Sequence, residues 1–177
     1  MDDSLLAGER IEKRLLKLHQ SSLELVREIS LDTLLEKIAS LALQQVHAGY
    51  AAVGLLDAEG KFEKFVPVGM TRDEIEKIPH LPEGKGLIGS LMVSRDSIRL
   101  ADVKSDPRFH GLPTFHPDVK SFLGVPILQG QHQLGQIYLI NKYTAKEFNR
   151  EDQRLVELLA NYAGVSIVNA RLYRDMI

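Results

Sequence analysis

Two segments with helical apolar spacing, one near each end of the chain, limit the possible folds more than any other feature of the sequence. In the first, the spacing is 4-3-4-3-4, over Ile11, Leu15, Leu18, Ser22, Leu25 and Ile29. In the second, it is 3-4-3-4-3, over Leu155, Leu158, Tyr162, Val165, Asn169 and Leu172. Such spacing places a seam on one face of a helix. The first helix packs either on the chain's own sheet or on a second chain, and the sequence leaves both open.

Between these two helices, strand-like runs alternate with turn residues. A further helix is predicted from Ser30 or Asp32, either of which can cap it, to about Val46. The predicted strands are AAVGLLD (51–57), KFEKFVPVG (61–69), SIRLADV, and a hairpin of SFLGVPIL and QLGQIYLINK across Gln129 to Gln133. Short helices are predicted in TRDEIEKIPH and from about Leu87, and a long irregular loop over 103–121. Strands enclosed by helices at both ends predict an α+β fold with a mostly antiparallel sheet.

The last helix has a predicted start and no predicted end. Asn149, with Asp152 three residues later, forms a cap-like start. The sequence then reaches Ile177 without a glycine or proline stop signal. We therefore expect this helix to continue in a longer parent protein.

Composition excludes several classes of function. The chain has no cysteine, which rules out disulfides, Cys-ligated zinc or iron–sulfur clusters, thiol catalysis and thioether-linked cofactors. The net charge of −2 argues against a nucleic-acid binder that depends on an overall positive field. The first twenty residues carry charges throughout and no apolar h-region, so we expect no signal peptide, and no apolar run reaches membrane-spanning length. We expect a cytoplasmic protein with neither a nucleic-acid nor a membrane partner.

Motifs for catalysis are absent from the sequence. The glycine-rich LPEGKGLIGS lacks both the P-loop and the dinucleotide-binding spacing, so Gly84, Gly86 and Gly89 are expected to serve a turn and close helix packing. There is no G-x-S-x-G elbow for a serine nucleophile. Paired acids lie at predicted helix starts, where they favour the macrodipole. We expect a regulatory rather than an enzymatic domain.

The loop GLPTFHPDVKSFLGVP (111–126) places His116 among large apolar side chains. These neighbours in sequence are Phe109, Leu112, Phe115, Phe122 and Leu123. A loop that carries such residues is expected to fold over the sheet and roof a cavity. Pro117 restricts His116 to extended conformations. His116 is a candidate ligand-binding residue, with an ordinary structural loop histidine as the alternative.

Tyr138 is the second candidate. In the QLGQIYLINK strand, the residues that alternate onto one predicted face are Leu134, Gln136, Tyr138 and Ile140. Tyr138 is either a core tyrosine with a backbone partner or a hydroxyl offered to a ligand in the cavity below the loop.

Taken together, these segments resemble a GAF domain, the small-ligand and dimerisation module of sensor kinases and phosphodiesterases. The resemblance rests on LPEGKGLIGS, HPDVKSFLGVPIL, GQIYLINK and AGVSIVNARLY, and extends from about Leu31 to Leu172. It implies a central mostly antiparallel sheet, with terminal helices packed on one face and a ligand-pocket loop region on the other. It also implies an N-terminal signalling and dimerisation helix over residues 1–30, followed by the GAF domain with its C-terminal helix over 31–177.

Within that family, the chain is most similar to the heme-binding GAF domains of mycobacterial gas- and redox-sensing histidine kinases. The resemblance implies heme b, with His116 as the iron ligand and Tyr138, 22 positions later, on the side where a diatomic gas such as O2, NO or CO binds. It implies that the neighbouring apolar residues help to form the heme pocket. A homodimer through the terminal helices and a downstream kinase domain are also implied.

A competing resemblance is to cyclic-nucleotide-binding GAF domains. The segment NKYTAKEFNREDQ resembles their N-K…F…D-E pattern through Asn141, Lys142, Phe148 and Asp152, with Gln153 in place of the last acid. Capping of the last helix by Asn149 and Asp152, with Lys142 paired to an acid near that cap, explains much of it. The remaining alternatives to heme are a domain that binds an anion, metabolite or cyclic nucleotide, and a dimerisation spacer without a ligand.

Overall fold

The structure is a computed structural model that describes residues 3–28, 30–78, 82, 84–112 and 116–176. Its helices are α1 (Asp3–Arg27), α2 (Leu31–Val46), α3 (Arg72–Lys77), α4 (Gly86–Val93) and α5 (Arg150–Met176). Its strands are β1 (Ala48–Leu56), β2 (Phe62–Val68), β3 (Ile98–Leu100), β4 (Phe122–Gln129) and β5 (His132–Lys142). In the part of the chain so described, no helix is both long and apolar enough to cross a membrane.

The five strands form one sheet in the order β2-β1-β5-β4-β3, and every neighbouring pair is antiparallel. This confirms the predicted α+β class and the antiparallel sheet. The β4–β5 hairpin closes through Gly130 and Gln131, and Gly130 has a φ of 59°, which a glycine adopts without strain. The strand predicted at SIRLADV is shorter than expected and consists of β3 alone.

The sheet separates two apolar clusters. On one face, the residues of the larger core pack with α1, α2 and α5. On the other face, a smaller cluster includes Phe122 and Tyr138, with Leu91 from α4. Alternation along a strand explains the division, because successive side chains point to opposite faces. The terminal helices therefore cover one face and leave the opposite one to loops and short helices.

A β-bulge at the β4–β5 hairpin alters which residues share a face. The pairing of the two strands shifts between Ile127 and Leu128, where one extra residue of β5 is inserted. Leu134 consequently lies in the larger core with the helices, whereas Tyr138 lies in the smaller cluster. The prediction that Leu134 shares a face with Tyr138 was wrong for this reason.

The terminal helices divide their apolar residues between the core and the surface. In α1, Leu18, Ser22 and Leu25 are buried, whereas Ile11 and Leu15 are each 40% exposed. Ile29, the last member of that seam, lies outside the described residues. Leu18 and Leu25 belong to the core that α2, α5 and the sheet share, so α1 packs on the chain's own domain over this part.

Only the first part of the seam predicted on α5 lies in the core. Leu155 is buried, but Val165 is 57% and Leu172 59% exposed. The residues of α5 that face the sheet follow a different stripe, which includes Leu159, Ala163 and Ile167. The seam along the second half of α5 therefore points away from the sheet.

The predicted start of α5 is confirmed. The Asn149 side chain accepts from the Asp152 N–H at 2.9 Å, and the Asp152 carboxylate accepts from the Asn149 N–H at 2.9 Å. These reciprocal bonds satisfy two backbone donors that a helix start would otherwise leave unpaired.

Candidate functional site

A cavity of about 650 Å³ lies on the face of the sheet opposite the terminal helices. Its floor consists of strand residues that include Ala52, Phe65 and Ile140, and its walls come from α3, α4 and the loop that precedes β4. Cavities of about 300–1,000 Å³ with mostly apolar walls are typical of small-molecule and cofactor sites. The structure therefore has a pocket on the face of the sheet where the sequence predicted one.

Most of the predicted site residues meet at this cavity. It is lined by His116, Tyr138, Phe109, Leu112 and Phe122. The chain segments that carry them are the 103–121 loop and strands β4 and β5, which the β4–β5 hairpin holds side by side. The predicted roof over the sheet therefore exists.

Two of the predicted pocket residues are not at the cavity. Phe115 lies outside the described residues. Leu123 is fully buried in the core on the helix-covered face, so its predicted contribution to the pocket was wrong. The reason is the strand period: Phe122 faces the cavity, and its neighbour in β4 must face the other way.

His116 is half-buried, and one of its ring nitrogens has a fixed partner. Its Nδ1 lies 2.7 Å from the carbonyl oxygen of Pro117. Because a carbonyl oxygen only accepts, Nδ1 must carry a proton and donate it. The neutral ring then keeps its lone pair on Nε2. An imidazole fixed in this way through Nδ1 is the usual form of a metal-ligating histidine.

Tyr138 lies on the cavity floor, across the cavity from the loop that forms its roof. It is almost fully buried against the rings of Phe65 and Phe122. Its hydroxyl donates to Oε1 of Gln136 at 2.8 Å. Burial raises the pKa of the Tyr138 phenol above its ordinary value, so the group stays neutral. The partner is a side chain on the same strand, not a backbone carbonyl.

The glycine-rich segment that includes Gly84, Gly86 and Gly89 borders the cavity and leads into α4. A Cβ on Gly89 would lie 2.2 Å from the carbonyl oxygen of Gly84, so this close approach requires glycine. Gly84 and Gly86 have φ values of 71° and 63°, in the left-handed region. The prediction of a turn with close helix packing is confirmed.

The loop before β4 is held by a local ion pair. Asp106 accepts from the backbone N–H, Nε and Nη2 of Arg108 at 2.8 to 2.9 Å. These hydrogen bonds lower the pKa of the Asp106 carboxyl to about 2. The next residue, Phe109, lines the cavity, so the pair fixes the backbone from which that side chain extends.

Sequence reasoning missed part of the cavity lining. Phe65 in β2 and Ile75 in α3 line it, and neither is near His116 in sequence. The alternation in KFEKFVPVG could have indicated that Phe65 shares a face with other apolar groups. The placement of α3 above the sheet depends on tertiary packing and carries no local signal.

The residues at the cavity fit an imidazole-ligated heme. His116 offers a lone pair on Nε2, the walls are mainly apolar, and the volume is of cofactor size. The cysteine-free chain suits a noncovalent heme, which needs no thioether.

The N-K…F…D segment lies elsewhere. Lys142 pairs with Asp152 at 2.5 Å, and Phe148 is fully buried in the larger core. Asn141 donates to the Asp118 carbonyl and accepts from the Lys120 N–H, each at 2.7 Å. These residues join β5 to α5 and to the loop, and they do not line the cavity. The predicted pairing of Lys142 with an acid at the helix cap is confirmed.

Comparisons with known proteins agree with this architecture. The profile of the GAF domain matches residues 28–168. The GAF domain of a phosphoenolpyruvate-protein phosphotransferase from Coxiella burnetii superimposes with a TM-score of 0.78 at 22% identity, over 94% of this chain and 99% of that one. The GAF domain of a protein assigned as a sensor histidine kinase in Pseudomonas syringae pv. tomato gives a TM-score of 0.65 at 15% identity, over 98% and 97%. These likenesses concern the fold.

A relative by sequence is a protein assigned as the 3′,5′-cyclic phosphodiesterase pde-5 in Caenorhabditis elegans. It is 24% identical over 161 residues, which is 82% of this chain. The match covers 21% of the phosphodiesterase. The chain therefore spans about a fifth of the length of that relative.

Proposed function

The chain belongs to the GAF domain family, which is typical of the sensory modules of signalling proteins, and from that premise we propose that its cavity binds heme b through His116. We further propose that the domain senses a diatomic gas such as O2, NO or CO, or the redox state, for a histidine kinase. The resemblance of its HPDVKSFLGVPIL and GQIYLINK segments to heme-binding GAF domains motivates this assignment.

The observation that carries the proposal is the hydrogen bond between Nδ1 of His116 and the Pro117 carbonyl. It holds the ring in one orientation and leaves Nε2 as the nitrogen that can ligate a metal. Pro117 itself has no N–H and limits the backbone of His116 to extended conformations. The histidine is thus held in place before any ligand arrives, which reduces the entropy lost on binding.

Heme, when bound, would supply an iron that takes a gas or changes its oxidation state. The chain's own contribution is to exclude water and to hold the ligand. Phe109 and Leu112 of the loop and Phe122 of β4 provide apolar surface to the cavity. Neutral Tyr138 provides a buried hydroxyl group on the floor.

We also propose that the partner is a second copy of this chain, bound through the terminal helices. A seam at 4-3-4-3-4 spacing runs along α5 and becomes exposed in its second half; its residues are Leu158, Tyr162, Val165, the polar Asn169, Leu172 and Met176. Val165, Leu172 and Met176 are 57%, 59% and 85% exposed. A seam of this spacing with a polar residue at one position is typical of a coiled coil of fixed register. Two copies of the same helix can pair through such a seam in a symmetric dimer.

A hemin titration tests the heme assignment. Increments of hemin are added to the purified chain, and the Soret absorption is recorded until it saturates. We expect one hemin per chain, and a loss of at least tenfold in affinity for His116→Ala. His110→Ala is the matched control, because His110 also lines the cavity but is exposed. Absence of saturable binding, or equal loss in both variants, would contradict the assignment.

A further inference from the structure

Three side chains connect the cavity floor to the end of α4 through hydrogen bonds. Tyr138 donates to Gln136 Oε1 at 2.8 Å, and Gln136 Nε2 donates to Gln133 Oε1. Gln133 Nε2 in turn donates to the carbonyls of Leu91 at 2.8 Å and Ser94 at 2.7 Å. We call Tyr138, Gln136 and Gln133 the relay. It runs along β5, and the β-bulge in the hairpin brings Gln133 to the same side as Gln136.

The direction of the relay is determined at its far end. The carbonyls of Leu91 and Ser94 can only accept, so the group of Gln133 beside them must be its NH2. Its Oε1 must then face Gln136 and accept from that side chain's NH2. By the same step, Gln136 Oε1 must face Tyr138 and accept its proton. Two backbone oxygens thus settle the orientation of both amides and of the phenol.

Burial makes it energetically unfavourable to reverse the direction of these hydrogen bonds. Gln136 is fully buried and Tyr138 is 2% exposed. If the phenol turned its proton toward a ligand, Gln136 Oε1 would lose its donor with no water to replace it. Because a buried acceptor without a partner costs free energy, a ligand that takes the Tyr138 proton would lose affinity on the order of tenfold or more. The proton of Tyr138 is therefore committed to the relay.

We infer that Tyr138 offers the cavity a hydrogen-bond acceptor, and that Gln136 and Gln133 are specificity-determining residues that select ligands with a donor at this point. A phenol oxygen that donates its proton still has lone-pair capacity to accept. The favoured ligand class presents an O–H or N–H group to the floor of an otherwise apolar cavity. A ligand that offers only an acceptor there must break the Tyr138–Gln136 bond, so a diatomic gas held on a heme iron would not receive the phenol proton while the relay is intact.

The relay also links the ligand site to α4. Leu91 and Ser94 lie at the C-terminal end of this helix. The Leu91 carbonyl accepts from the Ser94 N–H at 3.2 Å, and both carbonyls also accept from Gln133. The other end of α4 lines the cavity through Gly86, Leu87 and Ile88. The same hydrogen bonds that orient Tyr138 therefore hold one wall of the cavity in place.

The orientation itself is tested without any ligand. In NMR spectra of the purified chain without hemin, we expect a slowly exchanging Tyr138 hydroxyl proton with an NOE to the Gln136 side chain. Tyr138→Phe assigns the resonance by its disappearance. Gln136→Leu should make the hydroxyl proton exchange faster or lose its NOE partner. A hydroxyl proton whose NOEs lead to cavity residues and not to Gln136 would overturn the inference.

The preference is tested with two probes of nearly equal shape, indole, which has an N–H donor, and benzofuran, which has an oxygen acceptor in its place. Calorimetric titration of the hemin-free chain should give affinity for indole at least tenfold higher. Tyr138→Phe should remove the difference, and Gln136→Leu should reduce it because the phenol proton becomes free. Gln153→Leu, which removes a glutamine hydrogen bond on α5, is the control and should leave it unchanged.

Equal affinities for the two probes, or tighter binding of benzofuran, would overturn the donor preference. Failure of both probes to bind would also overturn the donor preference, while the NMR result separately decides the orientation of the relay. Neither experiment contains heme, so the relay can fail while hemin still binds, and hemin binding can fail while the relay stands.

Discussion

Lys142 Nζ lies 2.5 Å from Asp152 Oδ2, and this ion pair joins the last residue of β5 to the first turn of α5. The Asp152 side chain is fully buried and that of Lys142 is 8% exposed. Arg14 of α1 reaches the other carboxylate oxygen of Asp152 at 3.3 Å and the carbonyl of Gln45 at 2.9 Å. One carboxylate therefore connects the strand that carries Tyr138 to both terminal helices.

We predict that Asp152→Asn lowers the free energy of unfolding by about 3 kcal/mol or more, because it leaves the Lys142 ammonium buried without its counter-charge. Chemical denaturation of the purified variant measures this difference. Asp175→Asn, at an exposed position of α5, is the control and should change stability by less than about 0.5 kcal/mol. Similar stability of the Asp152 and Asp175 variants would show that the ion pair contributes little.

The proposed dimer predicts specific crosslinks. Since the chain has no cysteine, Val165→Cys and Leu172→Cys each introduce a single thiol on the exposed seam of α5. In a symmetric parallel pair, equivalent seam positions face each other across the axis. We expect both variants to form disulfide-linked dimers under mild oxidation, as judged by non-reducing electrophoresis.

Glu59→Cys, in the exposed β1–β2 turn, is the matched control and should stay monomeric under the same oxidation. Crosslinking of the control to the same extent, or no crosslinking of either seam variant, would contradict a dimer through α5.

The buried phenol predicts a stability change at alkaline pH. Burial raises the pKa of Tyr138 in the folded chain above the value near 10 of an unfolded tyrosine. The contribution of this group is therefore fully present below about pH 10 and is lost as the pH rises above it. The free energy of unfolding should fall, relative to Tyr138→Phe, by up to about 1.4 kcal/mol per pH unit there.

Urea denaturation of both proteins between pH 8 and 11 gives the difference between their free energies of unfolding. The contributions of the other titrating groups cancel in that difference. A difference that does not change with pH would mean that Tyr138 ionises while the chain is folded, and hence that it is not buried.

Much of the fold was predictable because it depends on local patterns. The apolar period of α2, the Asn149–Asp152 cap and the β4–β5 hairpin each carry their own signal in sequence. The exposed half of the α5 seam could not be distinguished from a core stripe, because both repeat with helical spacing. That choice depends on which elements pack together, which local periodicity does not encode.

The site was predictable only in part for the same physical reason. His116, Tyr138 and Phe122 were found because a loop and two adjacent strands carry them. The strand period should have excluded Leu123, which follows Phe122 and must face the helices. Gln133 joins the relay only because a bulge changes the parity of β5, and no residue pattern marks that bulge.

The most direct test of the account is the absorption spectrum of His116→Gly loaded with hemin, recorded without and with added imidazole. The substitution removes the ring but leaves a space in which free imidazole can take its place. We predict a spectrum unlike that of the unsubstituted chain without imidazole, and a return to the unsubstituted spectrum when imidazole is added. A variant that binds hemin with the unsubstituted spectrum in the absence of imidazole would contradict the assignment of His116 as the iron ligand.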